Sequence, residues 1–176
     1  SLNNMLFLEK YYKGSDVTQV KARLEKAAAL IGCTVSDLDT CIFLESSWNP
    51  KAYNSASGAY GLIQWLNSTA LNIHKVQASY IGQQSAFIQV AYVEHYFVTM
   101  KQRLKVTGFA NVYELYLTIF YPIAVGKPDT YVLLQSNQKG YSGNRSLDYN
   151  KDGKITKSEV KKWVDSALKK KASLQK

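Results

Sequence analysis

Apolar residues recur at helical spacing along most of the chain. In residues 17–31, Val17, Val20, Leu24, Ala27, Ala28 and Ile31 share one face, with Asp16 as a candidate cap and Gly32 as the stop. A second helix is predicted from Thr34 or Ser36 to about Ser47, burying Val35, Leu38, Cys41, Ile42 and Leu44 and closed by Asn49-Pro50. Residues 49–61 carry Asn, Pro, Ser and Gly in loop-like density, and Ser68 is the expected cap of a helix through 69–76. The longest pattern covers 83–104, with Phe87, Val90, Ala91, Val93, Tyr96, Phe97 and Met100 on its core side. A further helix is predicted at 111–121, disturbed by Pro122, and a short one at 128–136 after the break at Gly126-Lys127-Pro128. No sustained alternation and no repeat is present, so the expected fold is all-α or mainly α with long functional loops.

Composition narrows the class. The 176 residues suit one domain with a small appendage, and 46% hydrophobic with 20% charged residues excludes a disordered chain. The longest apolar stretch, Leu115 to Val125, is too short to cross a bilayer, which takes about 20 residues. No basic-then-apolar leader follows Ser1, which leaves the native start open. The net charge of +9 favours contact with anionic polymers. Much of it sits in Lys151, Lys154, Lys157, Lys161, Lys162, Lys169, Lys170, Lys171 and Lys176, where a solvated helix face and tail explain it equally well. No recognition motif accompanies the charge, so nucleic acid is not expected as a partner. Cys33 and Cys41 are expected as two buried, unbridged thiols. His74 and His95 stand isolated in the sequence and read as surface or core residues, not metal ligands.

The distribution of acids changes the picture. From Ser46 to Val93 there is no Asp or Glu, so Glu45 enters a long run of hydroxyls, amides, aromatics and glycines without a neighbouring anion in sequence. Its place near a helix C-terminus opposes the macrodipole, and an apolar surround raises a carboxyl pKa. Such a group suits general-acid work near neutrality. A solvated helix-end Glu is the plainer alternative.

The string around it is more specific. Glu45-Ser46-Ser47-Trp48-Asn49-Pro50-Lys51-Ala52, then Ser57-Gly58-Ala59-Tyr60-Gly61-Leu62-Ile63-Gln64, then Ser68-Thr69-Ala70, resembles the signature of the lytic transglycosylases, peptidoglycan-cleaving enzymes of lysozyme-like fold. Goose-type lysozymes share much of it. Ile63 stands where the family often has Met, and Asn67 replaces a Pro before Ser-Thr. The segment from Phe120 to Gly126 partly resembles the family's Tyr-Asn-Ala-Gly element, which makes Tyr121 the candidate partner of Glu45, against a helix-end Tyr in the core. The resemblance covers roughly residues 17–140, and its later part is similar to phage virion-associated members.

The resemblance implies one-carboxyl chemistry. Asp37 and Asp39 lie too far back on the helix of Glu45 to flank one bond, and Glu94 and Glu114 remain open from distant segments. Glu45 would protonate the glycosidic oxygen between MurNAc and GlcNAc. As a base it would then accept the proton of the C6 hydroxyl that attacks C1, giving a 1,6-anhydro end. Gln64 offers donor and acceptor to an acetamido group. Ser46 and Ser57 are candidates to hydrogen-bond near Glu45, Gly58 and Gly61 to let backbone approach the sugar, and Tyr60 and Trp65 to line the groove or pack in the core. The expected partners are peptidoglycan glycan strands, met by a monomer outside the cytoplasm or in a virion tail.

Residues 148–159 have the spacing of an EF-hand calcium loop, with oxygen side chains at positions 1, 3 and 5, Gly at 6, an aliphatic at 8 and Glu at 12. Asp148, Asn150 and Asp152, the carbonyl of Lys154 and both oxygens of Glu159 are the candidate ligands of a structural Ca2+, with Thr156 acting through water. An Asp/Asn turn capping the next helix is the alternative. The segment before the loop is a poor helix, and no partner loop is present, so a clamp is expected and not a signalling switch. The organisation is then a lysozyme-like catalytic domain over 1–142, with the loop and a final helix, Lys157 to about Lys169, over 143–176. That helix is expected to pack through Val160, Trp163, Val164 and Leu168. Two rival activities stay open: a hydrolysing muramidase, and a non-catalytic calcium-dependent module that binds cell wall.

Overall fold

The computed structural model describes residues 4–175, so Lys176 of the basic run and Ser1 lie outside the described residues. The protein is mostly helical, as the apolar periodicity predicts. Helix α1 (Phe7–Tyr11) precedes α2 (Val17–Ile31) and α3 (Val35–Ser46). Gly32 ends α2 at φ +83°, and a Cβ there would lie 3.0 Å from the Gly108 Cα, so the residue serves both the turn and a close backbone approach. Thr34 caps α3 by accepting from the Asp37 N–H at 3.0 Å.

Helix α3 ends at Ser46, within one residue of the expected end. Ser47 and Trp48 both adopt positive φ, 51° and 62°. The reason is tertiary: the chain turns so that the Trp48 ring enters the core, where its indole N–H donates to Asp39 Oδ1 at 2.9 Å. The loop after it contains a short antiparallel hairpin, β1 (Tyr53–Asn54) and β2 (Ala59–Tyr60), with Tyr53 opposite Tyr60. Two-residue strands are too short to show alternation, so the sequence reads them as loop.

Helix α4 (Asn67–His74) starts earlier than expected, and Ser68 lies inside its first turn, not at its cap. Instead the Asn67 side chain accepts from Ala78 N–H at 3.0 Å and joins α4 to α5 (Ala78–Gly82), a helix the periodicity misses. Helix α6 (Ala86–Leu104) begins where the Ser85 hydroxyl accepts from Ile88 N–H. Phe87 is exposed, contrary to expectation, and Gln89 is buried in its place. Gln89 ties three loop segments together: its Oε1 accepts from Leu62 N–H at 2.9 Å, and its Nε2 donates to the carbonyls of Pro50 and Gln84 at 2.8 and 3.1 Å. Helix α2 packs along α6, with the Arg23–Glu94 ion pair at 2.8 Å across them.

Helix α7 (Val112–Phe120) is followed by a 3-10 turn at Pro122–Ala124. The short helix expected at 128–136 is instead strand β3 (Val132–Gln135), paired antiparallel with β4 (Lys154–Thr156), Leu134 opposite Ile155. A partner about twenty residues away overrides the local pattern. The last helix, α8 (Lys157–Ser173), runs four residues beyond Lys169 and buries Val160, Val164 and Ala167. Leu168 packs partly buried against the core, whereas Trp163 is exposed. One hydrophobic core extends from Leu6 to Ala167, so the C-terminal segment shares it with the preceding helices.

Two buried lysines pin α8 at its ends. Lys157 Nζ pairs with Glu114 and donates to the Ala124 and Lys127 carbonyls. Lys171 Nζ pairs with Asp39 Oδ2 at 2.8 Å and donates to the Ser36 carbonyl at 2.7 Å. Cys41 is buried and Cys33 only half-buried, and both are free thiols.

Candidate active site

Glu45 lies in the last turn of α3, half-buried, so its carboxyl has both a low-dielectric surround and a way out. Burial pushes its pKa from 4.5 up to about 7, and a hydrogen bond from Tyr116 pulls partly the other way. No neighbouring carboxylate contributes to the rise. The donor is the Tyr116 hydroxyl, 3.3 Å from Glu45 Oε2.

This corrects the expectation for Tyr121. Tyr121, five positions after Tyr116, lies past the last residue of α7 with non-helical φ −158° and ψ 84°. Tyr121 is the C-cap of α7, and Tyr116 is the residue turned toward α3. The sequence did hold a signal for Tyr116. It sits in the mainly aliphatic run Val112, Leu115 and Leu117 of a strongly apolar helix, and a phenol buried there requires a polar partner. Burial and then the Glu45 charge hold the Tyr116 hydroxyl well above its ordinary pKa, so it stays a donor. Tyr96 is also raised by burial and by Glu45, and its hydroxyl donates to the Thr118 carbonyl at 2.5 Å.

Of the four acids weighed for a second carboxyl role, Asp37 lies in the first turn of α3, eight residues before Glu45, and the other three are engaged elsewhere. Asp39 is fully buried and accepts from Phe7 and Leu8 N–H, the Trp48 indole and Lys171. Glu94 is paired with Arg23, and Glu114 with Lys157 and the Gly126 N–H. The arrangement around Glu45 is that of one proton-carrying group, not of a carboxyl pair.

The remaining site candidates divide. The Ser46 hydroxyl donates back to the Ile42 carbonyl at 3.1 Å, and the Ser57 hydroxyl accepts from Ala59 N–H at 3.3 Å, so both serve local backbone here and not Glu45. Gln64 Nε2 donates to the Gly61 and Ala52 carbonyls at 3.0 and 3.4 Å, which leaves its Oε1 as the end available to an incoming donor. Gly58 meets open space at φ +76°, consistent with close approach by a ligand. Gly61 does not: a Cβ there would lie 2.7 Å from Gln89 Oε1, so its smallness serves packing. The Tyr60 ring lies 4.5 Å from that of exposed Tyr53. Trp65 is buried and leaves the groove to others; its indole N–H donates to His74 Nε2 at 3.1 Å. His74 and His95, isolated in sequence, meet in space with Nδ1 atoms 2.9 Å apart. Burial, and secondarily His95, holds His74 down to about 4.

In the C-terminal loop, carboxylate oxygens of Asp148, Asp152 and Glu159 lie within 4.8 Å of one another. Lys151 and Gly153 take positive φ, 57° and 81°, which curls the loop so that Asp148 accepts from the Gly153 and Asp152 N–H groups. The Tyr141 hydroxyl donates to Asp148 Oδ2 at 2.6 Å and is the first cause of a lowered Asp148 pKa. Asn150 Oδ1 accepts from Asp152 N–H at 3.3 Å in the same turn. Glu159 accepts from Tyr149 and Thr156 N–H, at 2.7 and 3.0 Å. Lys154 opens β4, so the strand-pairing partner absent as a second loop is supplied by β3.

Residues 32–107 match the family model described as the Transglycosylase SLT domain. The matched segment, less than half of the chain, runs from the end of α2 through α6 and includes Glu45 and Gln64; Tyr116, the C-terminal loop and α8 lie outside it. It supports a lysozyme-like domain with glycosidase or transglycosylase action on peptidoglycan. No curated protein and no solved structure matches.

Removing the Tyr116 hydroxyl has a directional consequence. In Tyr116→Phe the Glu45 carboxylate loses its one side-chain donor, so its pKa rises further and the alkaline limb of kcat/KM moves to higher pH. A pH–rate profile on purified sacculi measures it; an unmoved limb would show that the bond does not act on the reacting proton.

Proposed function

We propose that the protein is a lytic transglycosylase that cleaves the MurNAc-β-1,4-GlcNAc bond with Glu45 as sole acid and base, leaving 1,6-anhydro-MurNAc ends. The observation that carries this reading is a carboxyl raised to about 7 by burial beside the Tyr116 hydroxyl, with Asp39, Glu94 and Glu114 held in structural pairs. Glu45 in its protonated form, still well populated at neutral pH, donates to the glycosidic oxygen. Ionised after that step, it accepts the C6 hydroxyl proton as this oxygen attacks C1. Tyr116 supports the ionised form through its hydrogen bond. Gln64 Oε1 is the proposed acceptor for an acetamido N–H, with Gly58 and Tyr60 beside the strand. The substrate class puts the site of action outside the cytoplasm. Mass spectrometry of products from purified sacculi is the test. Anhydro ends support the reading, and reducing ends show a hydrolysing muramidase. Wall binding without any cleavage would leave a binding module.

The second part of the proposal is a structural Ca2+ held by Asp148, Asn150, Asp152, the Lys154 carbonyl and Glu159. Hard oxygen donors within mutual reach, on a loop curled at its fourth and sixth positions, fit such an ion. Bound there, the ion would offset the carboxylates' mutual repulsion and clamp the start of α8. At calcium 100-fold above its Kd the folded state gains about 2.7 kcal/mol, which for a chain of this size raises Tm by about 5–10 °C. Thermal melts with calcium and with chelator read this out, and identical melts would remove the ion from the proposal.

A further inference from the structure

The two histidines form a chain of ring nitrogens with Trp65. The buried Trp65 indole N–H donates to His74 Nε2 at 3.1 Å, and His74 Nδ1 lies 2.9 Å from His95 Nδ1. An indole N–H only donates, so His74 Nε2 is bare and its proton sits on Nδ1. That proton fills the gap to His95, so His95 Nδ1 accepts and the His95 proton sits on Nε2. Each of the two gaps then holds one proton. One more proton on either ring sets two donors face to face, against Trp65 or between the histidines.

The surroundings supply no anion to offset an added charge. Neither histidine has an ion-pair partner among the described residues. Glu94, next to His95 on α6, is paired with Arg23 of α2. Lys75, next to His74, donates to the Asn72 carbonyl. The α5 helix, packed on α4, carries no charged residue. Tyr92 of α6 is the titratable neighbour that meets both other rings edge-on, its centroid 5.1 Å from His74 and 6.4 Å from Trp65. His74 ends α4, where the macrodipole favours a charged imidazole, yet burial and then His95 hold it down to about 4.

Trp65 carries the chain of nitrogens to the turn proposed to bind sugar. Its backbone pairs both ways with Tyr60, at 3.0 and 2.8 Å. Its ring backs Gly61, where a Cβ would lie 3.2 Å from it. Gln64, just before it, takes a positive φ of 58°, a conformation that persists only where the surroundings enforce it.

We propose that His74 and His95 are positioning residues that hold the Tyr60–Gln64 turn in its sugar-binding shape only while both imidazoles are neutral, so that acid releases Trp65 and weakens substrate binding. The link to substrate rests on the function proposed above; the release of Trp65 does not. The sign follows from linkage. His74 titrates near 6.5 when released and at about 4 when anchored, so the anchored state is fully favoured above 6.5 and loses ground as pH falls toward 4. Between pH 7.5 and 5 this gap bounds the shift toward release at about 30-fold. Solvent access at exposed His95 brings the expected shift to about tenfold. Glu45 only gains its proton over this range, so its own titration favours cleavage there.

The test is hydrogen exchange of the Trp65 indole N–H, followed by NMR on the unsubstituted protein and corrected for the pH dependence of the chemical step. Protection is expected to fall about tenfold from pH 7.5 to 5, while core amides of α3 keep theirs. Long-range proton–nitrogen spectra at pH 7.5 should show His74 protonated on Nδ1 and His95 on Nε2. KM for soluble glycan strands should rise about tenfold over the same range, with kcat not falling. His74→Gln, whose Oε1 can accept from the indole without titrating, should keep protection and KM level across the range. His74→Phe, which has no acceptor, should lose protection at every pH. Unchanged protection, or His74 protonated on Nε2 at pH 7.5, overturns the proposal and leaves Glu45 untouched. A fall in protection without a rise in KM overturns the link to the sugar-binding turn. A fall in protection in a protein that cleaves nothing upholds the release of Trp65 and removes the enzyme reading.

Discussion

Glu45→Gln is expected to abolish cleavage and to stabilise the fold at the same time. General acid catalysis contributes about 10²–10⁴ in rate, and with a single carboxyl serving both proton transfers the loss should be at least about 10³-fold. The stability gain follows from linkage. An unfolded Glu titrates near 4.5 and the folded Glu45 at about 7, so between these values the folded state binds more protons. Stability contributed by the protonated form is full below 4.5 and is lost as pH rises through 7. Above pH 7 the buried charge costs about 3 kcal/mol. Gln carries no charge and can still accept from Tyr116, so at pH 8 the variant should melt about 6–12 °C higher. The gap should close by pH 4.5. Equal melting temperatures at pH 8 would mean that Glu45 is solvated and not poised as an acid. The same titration predicts a tenfold fall in kcat/KM per pH unit above about 7 in the unsubstituted protein.

The largest expected loss of stability is at Asp39, six residues before Glu45 on the same helix. Its carboxylate is fully buried and accepts four donors: Phe7 N–H at 2.8 Å, Leu8 N–H and the Trp48 indole each at 2.9 Å, and Lys171 Nζ at 2.8 Å. It therefore joins α1, the turn after Glu45 and the end of α8. Asp39→Ala would leave three N–H groups and an ammonium without that acceptor. Breaking a buried pair on one side costs about 3–5 kcal/mol, so Tm should fall by about 10 °C or more. Replacing Lys171 by Met in the same chain should recover part of this, because the stranded charge is then gone. Thermal denaturation of the two single variants and the double variant measures the coupling. If Asp39→Ala melts within about 2 °C of the unsubstituted protein, the carboxylate does not hold these elements together.

These two carboxylates show how far the sequence carries. Helix spacing excludes Asp39 as a partner of Glu45 across one bond, and the structure gives it a scaffold role instead. The gap in acids from Ser46 to Val93 marks Glu45, because a long interval without anions is visible without coordinates. The identity of its hydroxyl partner is not. Tyr116 and Tyr121 both lie near the end of the same helix, and the rotation of α7 against α3 chooses between them. Gly61 lies in the motif that suggested a sugar groove and Trp65 just beyond it, yet Gln89 and His74 hold them for packing.

Taken alone, the sequence determined the features whose causes are local: the span of α2 with its Gly32 stop, a start of α3 at Thr34 or Ser36, the acid-free interval after Glu45 and the twelve-residue spacing of the C-terminal loop. Each rests on interactions within a few residues, where periodicity and capping chemistry act directly. The tertiary structure decided which groups from distant segments meet: Tyr116 with Glu45, β3 with β4, and Lys171 with Asp39. Such meetings depend on how buried faces rotate and pack against one another, and local spacing does not encode that rotation.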